Sequence, residues 1–220
     1  MDAGRLTALQ VAVLRALADF RPRWTLSGGG ALVGVHTKHR TTRDLDLFWQ
    51  AQGVLGAVPE AVRARLESAR LEVAVVQRAE AFCRLDVRLA NEAVILDLVA
   101  DPVPLAESPI EVDIEGAVIQ VDTPHQLLVN KLCALLSRSE LRDVEDVRAL
   151  LARGGDLQRA LSDAPKQDGG FSPLTFAYSV RQLPLEKLAR ALAWTDEETT
   201  SLSRFRDELV DRVLAASLPP

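Results

Sequence analysis

Residues 24–49 read WTLSGGGALVGVHTKHRTTRDLDLFW. The stretch predicts a strand, a glycine turn, a short helix and a second strand. Trp24, Thr25 and Leu26 suit a strand, since bulky and β-branched side chains pack well on a pleated surface. Ser27-Gly28-Gly29-Gly30 must then turn, because a backbone without Cβ reaches φ > 0 and can approach a ligand closely. Ala31 to Val35 follows as a short helical turn, whose start would offer N–H groups and a positive dipole end to a phosphate. In Asp44-Leu45-Asp46-Leu47-Phe48-Trp49, alternation puts Asp44 and Asp46 on one face and Leu45 and Leu47 in the core. Two neighbouring carboxylates repel, and a divalent cation with its appetite for oxygen ligands relieves that cost. Each piece alone has a plainer reading, a simple turn or a solvated edge. The glycine run is not a Walker loop, since no Gly-Lys-Ser/Thr follows it. The order of the pieces carries the signal.

Outward from this stretch, Leu6, Leu9, Val13 and Leu17 predict a helix over 5–19 with one buried stripe. The connector His36 to Arg43 is polar and basic. It reads either as a solvated loop or as a source of Lys38, Arg40 and Arg43 for a triphosphate or an acidic acceptor. His36 and His39 have no third ligand nearby and read as loop residues rather than zinc ligands. A helix is expected from Pro59 to about Arg70 and a strand from Leu71 to Val76. In Phe82 to Ala90, Leu85, Val87 and Leu89 alternate with Arg84, Asp86 and Arg88, the pattern of a half-exposed strand. Asn91-Glu92 fits a tight connection to Ala93–Val99, whose nearly continuous apolar run predicts a central strand covered on both faces. A carboxylate there, Asp97, is costly unless a metal or a partner such as an arginine compensates it. Asp86 is the second choice for a functional acid, its flanking arginines suggesting a surface. Glu111 to Val121 predicts a hairpin around Glu115-Gly116.

Asp122-Thr123-Pro124 starts a helix over 124–138, with Thr123 as N-cap and Pro124 at the first helical position. Leu127, Leu128, Leu132, Leu135 and Leu136 mark its buried side. Lys131 sits on or beside that stripe, either snorkelling or aimed at an anion, with Arg138 on the same side. Asp143 and Asp146 follow at i,i+3 on the next helix. Gly154-Gly155 caps that helix, 156–161 is short and helical, and 164–170 is expected to be a flexible loop. Helices over about 172–181, 184–194 and 196–215 complete the chain.

These blocks resemble the nucleotidyltransferase signature, a glycine turn followed by an Asp-x-Asp strand, and within it the AbiEii/AbiGii toxin family. The matching residues are Gly28-Gly29-Gly30-Ala31-Leu32 and Arg40 through Leu47. A second block comprises Thr123-Pro124, Lys131-Leu132-Cys133-Ala134-Leu135, Arg138, Arg142-Asp143 and Asp146. The resemblance runs roughly from residue 20 to 215. It implies an α+β fold, with a nucleotidyltransferase-like mixed sheet over 1–121 and a C-terminal helical bundle over 122–220 that completes a cleft. It also implies Mg2+-dependent transfer of NMP from an NTP to an RNA hydroxyl, such as a tRNA 3′ end, or to a protein hydroxyl. Asp44, Asp46 and Asp97 would hold two Mg2+ ions, with Mn2+ able to substitute, and Asp97 would help deprotonate the acceptor. Ser27, Gly28, Gly29, Gly30, Arg43, Lys131 and Arg138 would bind the nucleotide, and Asp143 or Asp146 would orient it or the basic residues. An antitoxin partner is implied as well. The third glycine stands where many members have serine. The alternative is an NTP-binding module that holds a partner without turnover.

Composition narrows this further. Hydrophobic residues make up 48% and charged residues 26% of 220, ordinary for a globular chain. A net charge of −5 argues against coating nucleic acid by bulk electrostatics. No apolar run is long enough to span a bilayer, and Met1 to Arg5 lacks a signal pattern. Cys83 and Cys133 form no framework and read as buried thiols, so a cytoplasmic location and no membrane partner are expected.

Overall fold

The computed structural model describes residues 6–138 and 140–217. The chain divides into two compact units, Met1–Thr123 and Pro124–Pro220. The boundary falls two residues later than the sequence suggests. The Asp122 amide donates to the Leu26 carbonyl at 3.0 Å, and the Thr123 hydroxyl donates to Glu107, so both residues belong to the first unit.

The first unit is built on a seven-stranded mixed sheet. Its strands are β1 (Thr25–Ser27), β2 (Asp44–Gln50), β3 (Glu72–Arg78), β4 (Phe82–Leu89), β5 (Glu92–Asp101), β6 (Ile110–Ile114) and β7 (Ala117–Val121). Their spatial order is β3-β4-β5-β2-β1-β7-β6. The β2–β5 and β1–β7 pairs are parallel and the others antiparallel. Two-residue turns set the hairpin registers. Ala90 (φ 53°) stands in the β4–β5 turn, and Glu115 (φ 51°) and Gly116 (φ 85°) form the β6–β7 turn, the positive-φ geometry that matches strand twist. Leu45, Leu47, Leu85, Val87, Leu96 and Leu98 are fully buried.

Helix α1 (Ala8–Leu17) starts at Thr7, whose hydroxyl accepts from the Gln10 amide while the Gln10 side chain returns to the Thr7 amide. The first residue of the expected 5–19 helix lies outside the described residues. Leu9, Val13 and Leu17 are buried as the stripe predicts. Helix α3 (Val58–Ser68) packs beside α1. Between β1 and β2 the structure corrects the expectation of a glycine turn. Gly28–Ala31 is already a helical turn, α2, and it continues as a π-helical turn over Leu32–His36. Only Gly28 of the three glycines has positive φ, 54°. The π-turn is closed by Thr37, whose amide and hydroxyl both donate to the Leu32 carbonyl.

The second unit is helical: α4 (Pro124–Ser137), α5 (Leu141–Ala152), α6 (Leu157–Gln167), α7 (Pro173–Arg181), α8 (Leu185–Ala191) and α9 (Asp196–Ala216). Helix α5 ends as the glycine pair predicts. Gly154 takes φ 89°, its amide donates to Leu151, and the Gly155 amide donates to Leu150 at 3.1 Å, the double bond of a Schellman cap. The expected loop over 164–170 is a second correction, since α6 runs to Gln167 through Pro165. Buried Leu157, Ala160, Leu161 and Ala164 hold that helix against α4, and packing outweighs the proline's weak helix preference. Phe176, Leu202, Leu209 and Val213 fill the core of this unit. Among the described residues no helix is long and apolar enough to cross a membrane.

Candidate active site

The sheet registers assemble the site. Asp46 lies opposite Ser27 on β1 and opposite Asp97 on β5, and Asp97 lies opposite Arg84 on β4. Side chains of paired residues share a face, and neighbouring strands lie about 4.8 Å apart. Ser27, Asp46, Asp97 and Arg84 therefore form one polar row across four strands. Asp44, two residues before Asp46, shares the face. Asp86 does too, opposite Ile95, which is itself opposite Asp44. Asp86 pairs with the Arg88 guanidinium at 2.7 Å, which holds its carboxyl below the usual range.

Both oxygens of Asp97 are engaged. Arg84 Nε donates to Oδ1 at 2.8 Å and Nη2 donates to Oδ2 at 2.7 Å. The Asp97 side chain is 10% exposed and that of Arg84 41%. The Asp97 hydrogen bonds, then its charge and those of Asp44 and Asp46, raise the proton affinity of Arg84. The guanidinium also sits 5.7 Å from the Phe82 ring centroid. Among the described residues no group of three or more His, Cys, Asp or Glu side chains is placed to hold a metal ion. The half-buried Asp44 and Asp46 fit a divalent cation by chemistry and by shared face. Asp97 fits as a third ligand once its oxygens leave Arg84.

The glycine run packs against this face. A Cβ on Gly28 would collide with the Asp46 carboxylate. A Cβ on Gly29 would lie 2.8 Å from Thr42 Oγ1, and one on Gly30 3.0 Å from a Leu45 methyl. Each glycine makes room for a different residue of the stretch 42–46. Ser27 is buried, and its hydroxyl donates to Asp122. Burial pushes the Asp122 carboxyl up to about 6, against the lowering effect of that hydrogen bond. His36 Nε2 meets the Asp122 carbonyl at 2.8 Å, and burial lowers the imidazole pKa more than this bond raises it. Arg43 is exposed just before Asp44. A cavity of about 530 Å³ elsewhere in this unit is lined by Arg15, Arg21, Arg23, Trp24 and Glu111, and none of the carboxylates of the row borders it.

The other predicted site residues meet within the helical unit. Lys131 Nζ donates to Asp143 Oδ1 at 2.8 Å and lies 2.7 Å from Asp146 Oδ2. Arg138 Nε and Nη2 reach the two oxygens of Asp143 at 2.8 and 3.0 Å. Asp143 and Asp146 are fully buried, and the Arg138 side chain is half exposed. Burial alone would raise the Asp143 carboxyl, but the Arg138 hydrogen bonds and the Lys131 charge outweigh it and hold it below the usual range. Both aspartates thus grip Lys131, and Asp143 also grips Arg138. Cys83 and Cys133 are free thiols, the first buried and the second half-buried. Burial pushes Cys133 up to about 12.

Two residues of this chemistry escape the sequence reading. Arg84 looks like surface because it alternates with Asp86 and Arg88. Yet the tight turn after Leu89 pairs Leu89 with Glu92, and counting back places Arg84 opposite Asp97. Asp122 looks like a helix lead-in, and nothing in its neighbours signals its burial.

This sheet order, with paired acids beside a glycine-rich helical turn, defines a nucleotidyltransferase fold. A family model described as "Nucleotidyl transferase AbiEii toxin, Type IV TA system" matches residues 12–216. The chain belongs to this family of nucleotidyltransferases. Solved structures agree on the fold. JHP933 from Helicobacter pylori is 19% identical, with 94% of this chain and 90% of that one covered and a TM-score of 0.57. MenT4, a nucleotidyltransferase toxin from Mycobacterium tuberculosis, is 17% identical, covering 94% and 91%, with a TM-score of 0.56. An antigenic nucleotidyltransferase-like protein from Paracoccidioides brasiliensis is 14% identical, covering 90% and 94%, with a TM-score of 0.51. Comparison with curated proteins returns no match.

Proposed function

We propose that the protein transfers an NMP unit from an NTP to the hydroxyl of an RNA, such as a tRNA 3′ end, or of a protein. In this reading it acts as the toxin of a toxin–antitoxin pair in the cytoplasm. The observation that carries this is the placement of Asp44, Asp46 and Asp97 on one sheet face, with Gly28 against Asp46. In the reaction the acceptor oxygen bonds to the α-phosphorus as the bond to the α–β bridging oxygen breaks. Pyrophosphate leaves with that electron pair, and the hydroxyl proton passes to a carboxylate, for which Asp97 is the candidate. Two Mg2+ ions, or Mn2+ in their place, held by Asp44, Asp46 and Asp97 would offset the charge of the triphosphate and of the transition state. The amides of Gly28, Gly29 and Gly30, with Ser27 and Arg43, are the proposed phosphate contacts of the first unit. In the helical unit the half-exposed Arg138 is the proposed phosphate contact, and Lys131 with Asp143 and Asp146 is its buried ionic support.

One observation favours the non-catalytic alternative, an NTP-binding module: Arg84 occupies both oxygens of Asp97. Incubation with Mg2+, each labelled NTP, and total RNA or total protein separates the two. Label on either acceptor with the wild type, lost in Asp46→Asn, supports the enzyme. NTP binding without transfer to any acceptor sinks turnover and leaves the module.

A further inference from the structure

We propose that Arg84 is a positioning residue that holds Asp97 as its resident counter-cation until a metal-bound nucleotide displaces it. The inference rests on the reading of Asp44, Asp46 and Asp97 as metal-binding acids. Like charges directly opposite across a strand pair destabilise a sheet, and Asp46 faces Asp97 in register. Arg84, the next residue along the same row, brings a positive charge onto Asp97. Its contact is a fork on both carboxylate oxygens, the strongest arrangement open to a guanidinium, so a cation must compete with the guanidinium for those oxygens while the fork stands. Two features keep the fork releasable. The Arg84 side chain is 41% exposed, which leaves solvent and space for another rotamer, and Phe82 beside it offers a ring face rather than a second carboxylate. Exchange is also chemically balanced. A divalent ion held by Asp44, Asp46 and Asp97 would do the neutralising that Arg84 does and would repel the guanidinium from its place. Arg84 released in this way stands at the edge of the row, where a triphosphate brings negative charge. Asp97 would then be freed as ligand and proton acceptor.

The test is Mn2+ binding to the nucleotide-free protein, read from the loss of the free-ion EPR signal. One unit charge a few Å from a divalent ion in a partly exposed site is worth roughly tenfold or more in affinity. Arg84→Gln is therefore expected to bind Mn2+ at least about tenfold more tightly than wild type. Arg84→Lys, which keeps the charge but not the fork, should fall between. Adding Asp97→Asn to Arg84→Gln should abolish the gain. A purely structural ion pair would lower the melting temperature of Arg84→Gln and leave its Mn2+ affinity unchanged. That result, or weaker binding by a folded Arg84→Gln, overturns the proposal. If wild type binds Mn2+ and transfers label while Arg84→Gln shows no gain, Arg84 alone is misread. If no variant binds Mn2+ with or without NTP, the carboxylate site falls and this proposal with it.

Discussion

Replacing Lys131 with methionine keeps the length and apolar stem of the side chain and removes its charge. Asp143 and Asp146, fully buried, then lose the ammonium that lies 2.8 and 2.7 Å from them. Asp143 keeps Arg138, but that side chain is half exposed and solvent-screened. Removing one partner of a buried ion pair costs about 3–5 kcal/mol, because the remaining charge stays desolvated. With a urea slope of about 2 kcal/mol/M, the midpoint of the helical unit should fall by roughly 1.5–2.5 M. The pH dependence sharpens the test. In the wild type the folded-state pKa of Asp143 is depressed. Its contribution is therefore present above the unfolded value and lost only as pH falls through the depressed folded one. In Lys131→Met the same carboxyls are left with less counter-charge and take up protons at higher pH, which relieves the penalty. The stability difference between wild type and variant should thus be largest near pH 8 and shrink towards pH 4. Urea unfolding followed by far-ultraviolet circular dichroism at pH 4, 6 and 8 measures it. A difference under about 1 kcal/mol at pH 8, or one flat with pH, would refute the view of Lys131 as the keystone of a buried ionic cluster.

Three further outcomes follow from geometry. Gly28→Ala sets a Cβ against the Asp46 carboxylate at a positive φ, so NMP transfer should be lost while the unfolding midpoint falls by only about 1–2 kcal/mol equivalent. Retained transfer would show that the contact with Asp46 is dispensable. Asp122, raised to about 6 from 3.8 in the folded state, holds its proton more tightly folded than unfolded. Its burial therefore destabilises the fold progressively as pH rises through that window, by up to roughly 3 kcal/mol. Asp122→Asn should raise the melting temperature at pH 8 and change it little at pH 4, checked by calorimetry; a fall at pH 8 would count against it. Gly154→Ala, at φ 89°, should cost about 1 kcal/mol through the α5 cap without altering NTP binding, measured by urea titration and a nucleotide-binding assay.

Periodicity and punctuation made most of the fold legible. The alternation in Asp44–Trp49 put the acids on one face, Glu115-Gly116 marked a hairpin, and Gly154-Gly155 marked a helix end, because each rests on local stereochemistry. The failures are tertiary. The polar, glycine-containing stretch 164–170 argued for a loop, yet four buried apolar residues of α6 keep the helix going to Gln167 through Pro165. The glycine run argued for an open turn, yet its glycines are selected by Asp46, Thr42 and Leu45, residues 13 and more positions away in the chain. Asp97 was found from its cost in an apolar strand. Arg84 was not, because only the hairpin register puts it beside Asp97.

The two ionic groups of this protein differ in a way that separates chemistry from support. On the sheet face, three acids, Asp44, Asp46 and Asp97, gather on one side, with Arg84 on both oxygens of Asp97. In the helical unit, Asp143 and Asp146 are both paired with Lys131, and Asp143 also with Arg138. Acids gathered on one half-buried face attract added cations, since each carboxylate favours a nearby positive charge. The buried cluster is already paired within itself. Two of the three ammonium hydrogens of Lys131 already point at carboxylates, and a phosphate there would bring in charge that the cluster is not built to balance. Of its members, the half-exposed Arg138 is the one able to turn towards an anion without stranding a buried charge, since Asp143 would still keep Lys131. Arg138→Gln should therefore weaken NTP binding with little loss of stability, whereas Lys131→Met should do the reverse. Isothermal titration with a non-hydrolysable NTP, set beside the urea midpoints of the same two variants, decides it. Equal losses of binding and stability in both would mean that the four residues act as one unit.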